Sequence, residues 1–223
     1  MEQISWPGRG FDTLVGRATA LLQRPGRAVL GIAGAPGSGK STLADELTAA
    51  IDDDFPGQVV QVGMDAFHLA QRVLNRHGLA HVKGAPETFD CYGYIDLLER
   101  IREHTDHPVY APEFRREIEE SIAHAVEIAP AVRLVVTEGN YLLLNAEPWD
   151  GVRSRLDEVW FVHLQDSIRR SRLQARHTHY GLGTDAAETK TLGSDEANAR
   201  LVNSSRGNPD VWVEVNADAP VDL

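Results

Sequence analysis

The sequence is short of several residue types, and each shortage excludes something. Among its 223 residues there is one cysteine, Cys91, so no disulfide can form within the chain, as suits a reducing compartment. Nothing in its surroundings marks Cys91 as an activated nucleophile, and it reads as a buried spectator. Lysine occurs only at Lys40, Lys83 and Lys190. None follows an asparagine, which excludes the Asn-Lys-x-Asp motif by which regulatory GTPases read their base. With 22 Lys and Arg against 33 Asp and Glu, the net charge is −11. That balance argues against nucleic acid as a partner, because backbone binding relies on clustered cations; it leaves room for a local basic pocket. No apolar run approaches the roughly 20 residues that cross a bilayer, so no membrane partner is expected. The N-terminus, "MEQISWPGRGFDTLVGRATALLQRPGR", lacks the basic region and apolar core of a signal peptide. A cytoplasmic protein is expected, without internal repeats or low-complexity segments.

What is present is an alternation. Phe11, Leu14, Val15, Ala18, Leu21 and Leu22 recur at a helical period until "RPGR" stops them. "RAVLGIAG" (27–34) is a short buried strand, "STLADELTAAI" a helix and "QVVQVGM" a second strand. Residues 69–91 read as loop with a short helix, and "YIDLLERIREH" as a helix. "RLVVTEG" (133–139), "EVWFVHL" (158–164) and "DVWVEV" (210–215) are further strands. Between the last two lie a helix over 167–180 and another, "SDEANARLVNSSR", begun by a Ser/Asp cap. Trp149 and Trp160 read as packing residues. Such a pattern predicts an α/β fold with a predominantly parallel central sheet flanked by helices. One domain over 1–223 is expected, with an N-terminal helix within 1–26 and a lid at about 165–185. Ligands bind such sheets at the carboxyl ends of the strands.

"GAPGSGKS" (34–41) matches G-x-x-x-x-G-K-[ST] in full, after a buried strand and at the head of a helix. Gly34, Ala35, Pro36, Gly37, Ser38 and Gly39 would curl backbone N–H groups around phosphates at a helix N-terminus. Lys40 would reach the β- and γ-phosphates of ATP and Ser41 would give its hydroxyl to Mg²⁺, with Thr42 next in the cradle. The fold expected is therefore that of the P-loop NTPases, with a helical lid.

Three features separate a kinase from a switch or motor. Glu138 follows an apolar strand, where P-loop proteins keep a second acidic group for Mg²⁺ or its water. Arg169, Arg172 and Arg176 fall at i, i+3 and i+7, on one side of a helix, with Arg170 just off that face. Such a helix can close over a nucleotide and neutralise transition-state charge. Asp65, at the exit of the second strand and one strand over from the P-loop, is placed to take the proton of an attacking hydroxyl. His177 and His179 are two apart, about 200° around a helix, which argues against zinc. Asn203, Arg206 and Asn208 are candidates for an adenine pocket, against ordinary capping and turn roles.

In order, "GAPGSGKST", "MDAFHL", "KGAPETFD", "YAPEF" and "TEGNYLLL" resemble the phosphoribulokinase/uridine kinase family of P-loop kinases, over most of residues 27–215. "KGAPETFD" is similar to the bacterial pantothenate kinase version of the motif. The whole string looks most like the nucleoside/nucleotide-kinase-like branch. The resemblance implies ATP and Mg²⁺, with Lys40 and Ser41 on phosphate and metal, Asp65 as base, Glu138 beside Mg²⁺, and Arg172 and Arg176 as lid arginines. It puts His68, Lys83, Phe89, Asp90 and Tyr141, with Asp65 and Glu138, on the acceptor side. It also leaves room for a homodimer. One departure is Arg115–Arg116, where an acidic or Asp-Arg continuation of "YAPEF" is expected. That pair favours an acidic acceptor, or is plain surface. The expected activity is ATP-dependent phosphorylation of a hydroxyl on a small polar metabolite: a sugar, a nucleoside or a pantothenate-like compound. A regulatory, non-catalytic P-loop protein and a nucleoside-monophosphate kinase are the alternatives.

Overall fold

A computed structural model of the chain describes residues 2–217 and Ala219. Its first half runs β1 (Glu2–Trp6), α1 (Arg9–Leu22), β2 (Ala28–Gly34), α2 (Lys40–Asp54), β3 (Val59–Gly63), α3 (Gln71–His77) and α4 (Cys91–Glu103). The second runs β4 (Val109–Arg115), β5 (Glu120–Ile128), β6 (Leu134–Gly139), β7 (Glu158–His163), α5 (Asp166–His179), α6 (Thr184–Lys190), α7 (Glu196–Ser204) and β8 (Val211–Val215).

Six strands form one sheet in the order β1-β8-β7-β2-β6-β3, and every neighbouring pair is parallel. The predominantly parallel α/β sheet expected from the alternation of elements is thus observed. Successive side chains on a strand point to opposite faces, and both faces here are covered, so β2 is apolar throughout and wholly buried. Leu30 and Ile32 enter a core with Leu14, Leu21, Leu43 and Leu47 of α1 and α2. Val29 and Ala33 enter the opposite core, with Tyr94, Leu98 and Ile101 of α4 and Ala199 and Val202 of α7. Full burial of one such leucine stabilises the fold by about 1.5–3 kcal/mol. At the sheet's lower end Arg27 is buried and donates to the carbonyls of Val132, Ile101, His104 and Ala129 at 2.9–3.0 Å. One guanidinium thereby ties the end of α4 to the entry of β6.

Several elements differ from the sequence reading. A strand, β1, precedes the N-terminal helix and pairs with β8 along the sheet edge. An antiparallel hairpin, β4–β5, stands apart as its own two-stranded sheet. The Ser/Asp cap at 194–195 is not formed. Asp195 is itself helical and makes no capping hydrogen bond, because α6 runs on through a π-helical turn, Thr191–Asp195, into α7.

Candidate active site

In a parallel sheet all strand ends share one edge, and here Gly34, Gly63 and Gly139 end β2, β3 and β6 together. The loop after β2 is closed to larger residues. A Cβ at Gly34 would lie 2.6 Å from Ser38 Oγ and 2.7 Å from the Val162 carbonyl oxygen, and one at Gly37 would lie 2.7 Å from Leu173 Cγ. Gly37 and Gly39 have φ of 77° and 93°, a left-handed conformation that suits glycine. Lys40 and Ser41 then open α2.

Glu138 is fixed by register: its Cα pairs with Ile32 of β2 on one side and Gly63 of β3 on the other. Asp65 follows two residues later along β3, in a short 3-10 turn, Met64–Phe67. Because β6 lies between β2 and β3, Asp65 is two strands from the P-loop, not one, and Glu138 occupies the neighbouring strand. Ser41, Glu138 and Asp65 nevertheless line one cavity of about 400 Å³.

The electrostatics separate the two carboxylates. Burial raises the Glu138 pKa above the ordinary range; Lys40 opposes this and Asp65 adds to it. Burial would raise Asp65 too, but His68, Arg116, Lys40 and Arg176 together outweigh it, and Asp65 is held below the usual carboxylate range. Burial lowers Lys40, with Glu138 and Asp65 pulling the other way. Asp65 is therefore ionised at neutral pH. The oxygen atoms of Ser41, Glu138 and Asp65 suit a hard cation such as Mg²⁺.

A second cavity of about 350 Å³ adjoins Asp65. Of the acceptor-side candidates, Asp65, His68, Lys83 and Phe89 line it. His68 donates from Nδ1 to the Asp65 carbonyl at 2.8 Å and stacks on Phe89 with ring centroids 4.0 Å apart. Lys83 Nζ donates to the Glu119 carbonyl at 2.7 Å and pairs with its carboxylate. Tyr141 supports the site from beneath: its ring packs on Phe89, and its hydroxyl donates to the Gly84 carbonyl at 2.6 Å. Asp90 lies elsewhere. It is exposed, and its carboxylate accepts the Gly93 N–H to cap α4.

The arginine face of α5 divides by function. Arg169 is buried, donating to Asp166, Glu196 and the Pro36 carbonyl, so it braces α5 against the P-loop. Arg172 donates to the carbonyls of Ala217 and Ala219. Its Nη1 is buried without a partner among the described residues, on the side facing Gly39. Arg176 alone of the three lines the acceptor cavity. The Arg115–Arg116 pair also splits: Arg115 bonds exposed Glu113, whereas Arg116 Nη2 donates to Asp65 Oδ2 at 3.3 Å. Three further cavity residues were given no site role by the sequence: Asn140, and His177 with Asp195, whose side chains meet at 2.6 Å. Arg206 and Asn208 precede β8 and so lie by a strand's beginning, away from the P-loop edge. Arg206 covers the Trp212 ring.

The phosphate loop, the lysine heading α2 and two strand-end carboxylates define a P-loop kinase. No family model matches the chain. It is 33% identical over 211 residues to a Schizosaccharomyces pombe protein named "Putative uridine kinase", covering 92% of this chain and 90% of that one. It is 34% identical to the ATP-dependent kinase-like protein notR′ of Aspergillus versicolor, covering 70% of this chain and 98% of the relative. Among solved structures, a "putative fructose transport system kinase" from Silicibacter superposes with a TM-score of 0.83 at 35% identity, covering 92% of this chain and 99% of that one. The chain belongs to the phosphoribulokinase/uridine kinase family.

Proposed function

We propose that the protein transfers the γ-phosphoryl group of ATP to a hydroxyl of a small polar metabolite. The observation that carries this reading is the convergence of Ser41, Asp65 and Glu138 around one cavity at the P-loop edge, with the Lys40 charge felt by both carboxylates and Asp65 kept ionised. The acceptor hydroxyl hydrogen-bonds to Asp65. As its oxygen bonds to the γ-phosphorus, the bond to the bridging oxygen of ADP breaks and the hydroxyl proton passes to Asp65. Lys40 and Arg176 offset the charge on the transferred group, and the backbone N–H groups of 34–39 hold the remaining phosphates. Ser41 and Glu138 would hold Mg²⁺, which would supply positive charge against the phosphates. The protein's share of the chemistry is positioning and electrostatics.

Replacing Asp65 by Asn tests the reading. The variant should fold and bind ATP with little change while turnover falls roughly 10²–10⁴-fold. Near-normal turnover would remove the base assignment. A wild-type protein whose ADP release no hydroxyl compound accelerates would instead be a nucleotide-binding regulator.

A further inference from the structure

Resting on the kinase reading above, we infer that the acceptor is a compact hydroxy acid whose carboxylate is bound by Arg116. The hairpin β4–β5 carries Arg116 at its turn and delivers it to Asp65, where it lines the acceptor cavity as well as the one beside Ser41 and Glu138. The positive groups of this region have different partners. Lys40 lies at the phosphate loop, and Lys83 is matched by Glu119. Arg176, with no ion pair among the described residues, stands on α5, the helix braced against the loop. Arg116 is the cation in contact with the base itself, while Arg176 and Lys190 line the same cavity.

Arg116 rests on Asp65, the group that must accept the acceptor's proton. A neutral acceptor would have to hydrogen-bond a carboxylate still paired with a guanidinium. An acceptor with its own carboxylate offers Arg116 a planar, bidentate partner and leaves Asp65 facing the hydroxyl. The 3.3 Å gap between the two side chains sets the scale of such a molecule. With ordinary hydrogen bonds to each, hydroxyl and anion lie about two to four bonds apart. Asn140 Oδ1, buried without a partner among the described residues on the same cavity wall, can accept from a second hydroxyl.

The test is coupled ADP release, with calorimetric binding alongside, for glycolate, lactate, glycerate and tartrate. Their neutral amides, ribose 5-phosphate, uridine, fructose and pantothenate, whose hydroxyl and carboxylate are far apart, are measured beside them. Proteins are the wild type, Arg116→Gln, Arg116→Lys and, as control, Arg115→Gln. The expected result is at least one compact acid preferred over its amide by about 30-fold or more in kcat/KM. The preference should collapse to within about threefold in Arg116→Gln, recover in part in Arg116→Lys and persist in Arg115→Gln, with the KM for ATP little changed. Neutral sugars, nucleosides, the sugar phosphate or pantothenate outperforming every compact acid would overturn the inference and leave the kinase reading standing. So would an acid preference that survives in Arg116→Gln. Compact acids that bind through Arg116 without being phosphorylated would keep the anion site and overturn the kinase reading. Neither binding nor stimulation by any compound would overturn both.

Discussion

The Tyr141 hydroxyl, at the exit of β6, donates to the Gly84 carbonyl 2.6 Å away in the segment that carries Lys83 and Phe89. Asn198 of α7 donates to the same carbonyl at 3.1 Å, so one oxygen joins the end of β6, the loop around Gly84 and α7. Removing the phenol as Tyr141→Phe should cost about 1 kcal/mol of stability. It should raise the KM for the acceptor several-fold while leaving the KM for ATP unchanged. Steady-state kinetics in both substrates, with urea melts, check this.

Glu196 is buried beneath Arg169 and Arg170. Hydrogen bonding from Arg170, against the cost of burial and with help from Arg169, brings its pKa down to about 2. A folded pKa below the unfolded value of about 4.3 contributes stability at higher pH and loses it as pH falls from that value toward the folded one. Glu196→Gln should therefore destabilise the protein by about 2–3 kcal/mol at pH 7. The deficit should begin to narrow below about pH 4.5, as read from denaturant midpoints across pH.

The depressed Asp65 pKa has a kinetic counterpart. Since Asp65 must be ionised to accept a proton, kcat/KM should show no acid limb from this group until pH falls below about 4. Arg116→Gln removes a cation from its side and should move that limb to higher pH. A pH–rate profile of the two proteins decides it.

Gly34→Ala should be severe. Its Cβ would meet the Val162 backbone oxygen at 2.7 Å, which no rotamer change relieves. Loss of about 1–3 kcal/mol of stability is expected, together with loss of ATP binding, measured by thermal melts with and without nucleotide.

Cys91 is buried at the first turn of α4, and burial, with Asp90 and Asp150 nearby, pushes its thiol up to about 12. It should be silent to a thiol reagent in the native protein and react stoichiometrically once unfolded.

How much of this was legible in the sequence depended on whether a signal was local. The P-loop, the strand-end Asp65 and Glu138, and the buried strands announce themselves in consecutive residues, and the structure places them at one edge. Strand order does not: the insertion of β6 between β2 and β3, which puts Glu138 beside the P-loop strand and Asp65 beyond it, is a property of pairing. The hairpin was missed because much of β5 is exposed, so its residues, "ESIAHAVEI", show no core-facing run. The Asp195 cap failed because its carboxylate meets His177 across 18 residues, a partner that no capping rule sees. The arginines of α5 share a face in sequence, yet Glu196, the C-terminal carbonyls and the cavity each take one. Arg116 stayed ambiguous because its neighbour Arg115 is the exposed residue that a charge pair suggests.

The hairpin has one further consequence. Its two strands hydrogen-bond to each other and to no strand of the central sheet, while its turn carries Arg116 and Glu119 to the acceptor cavity. On the function proposed above, selection among acceptors would lodge in a part that can be rewritten without redrawing the phosphate-handling frame. Within a family sharing one chemistry, this hairpin, Val109–Ile128, is where new substrates would be acquired first, and where a turn transplanted from a relative should carry its preference along.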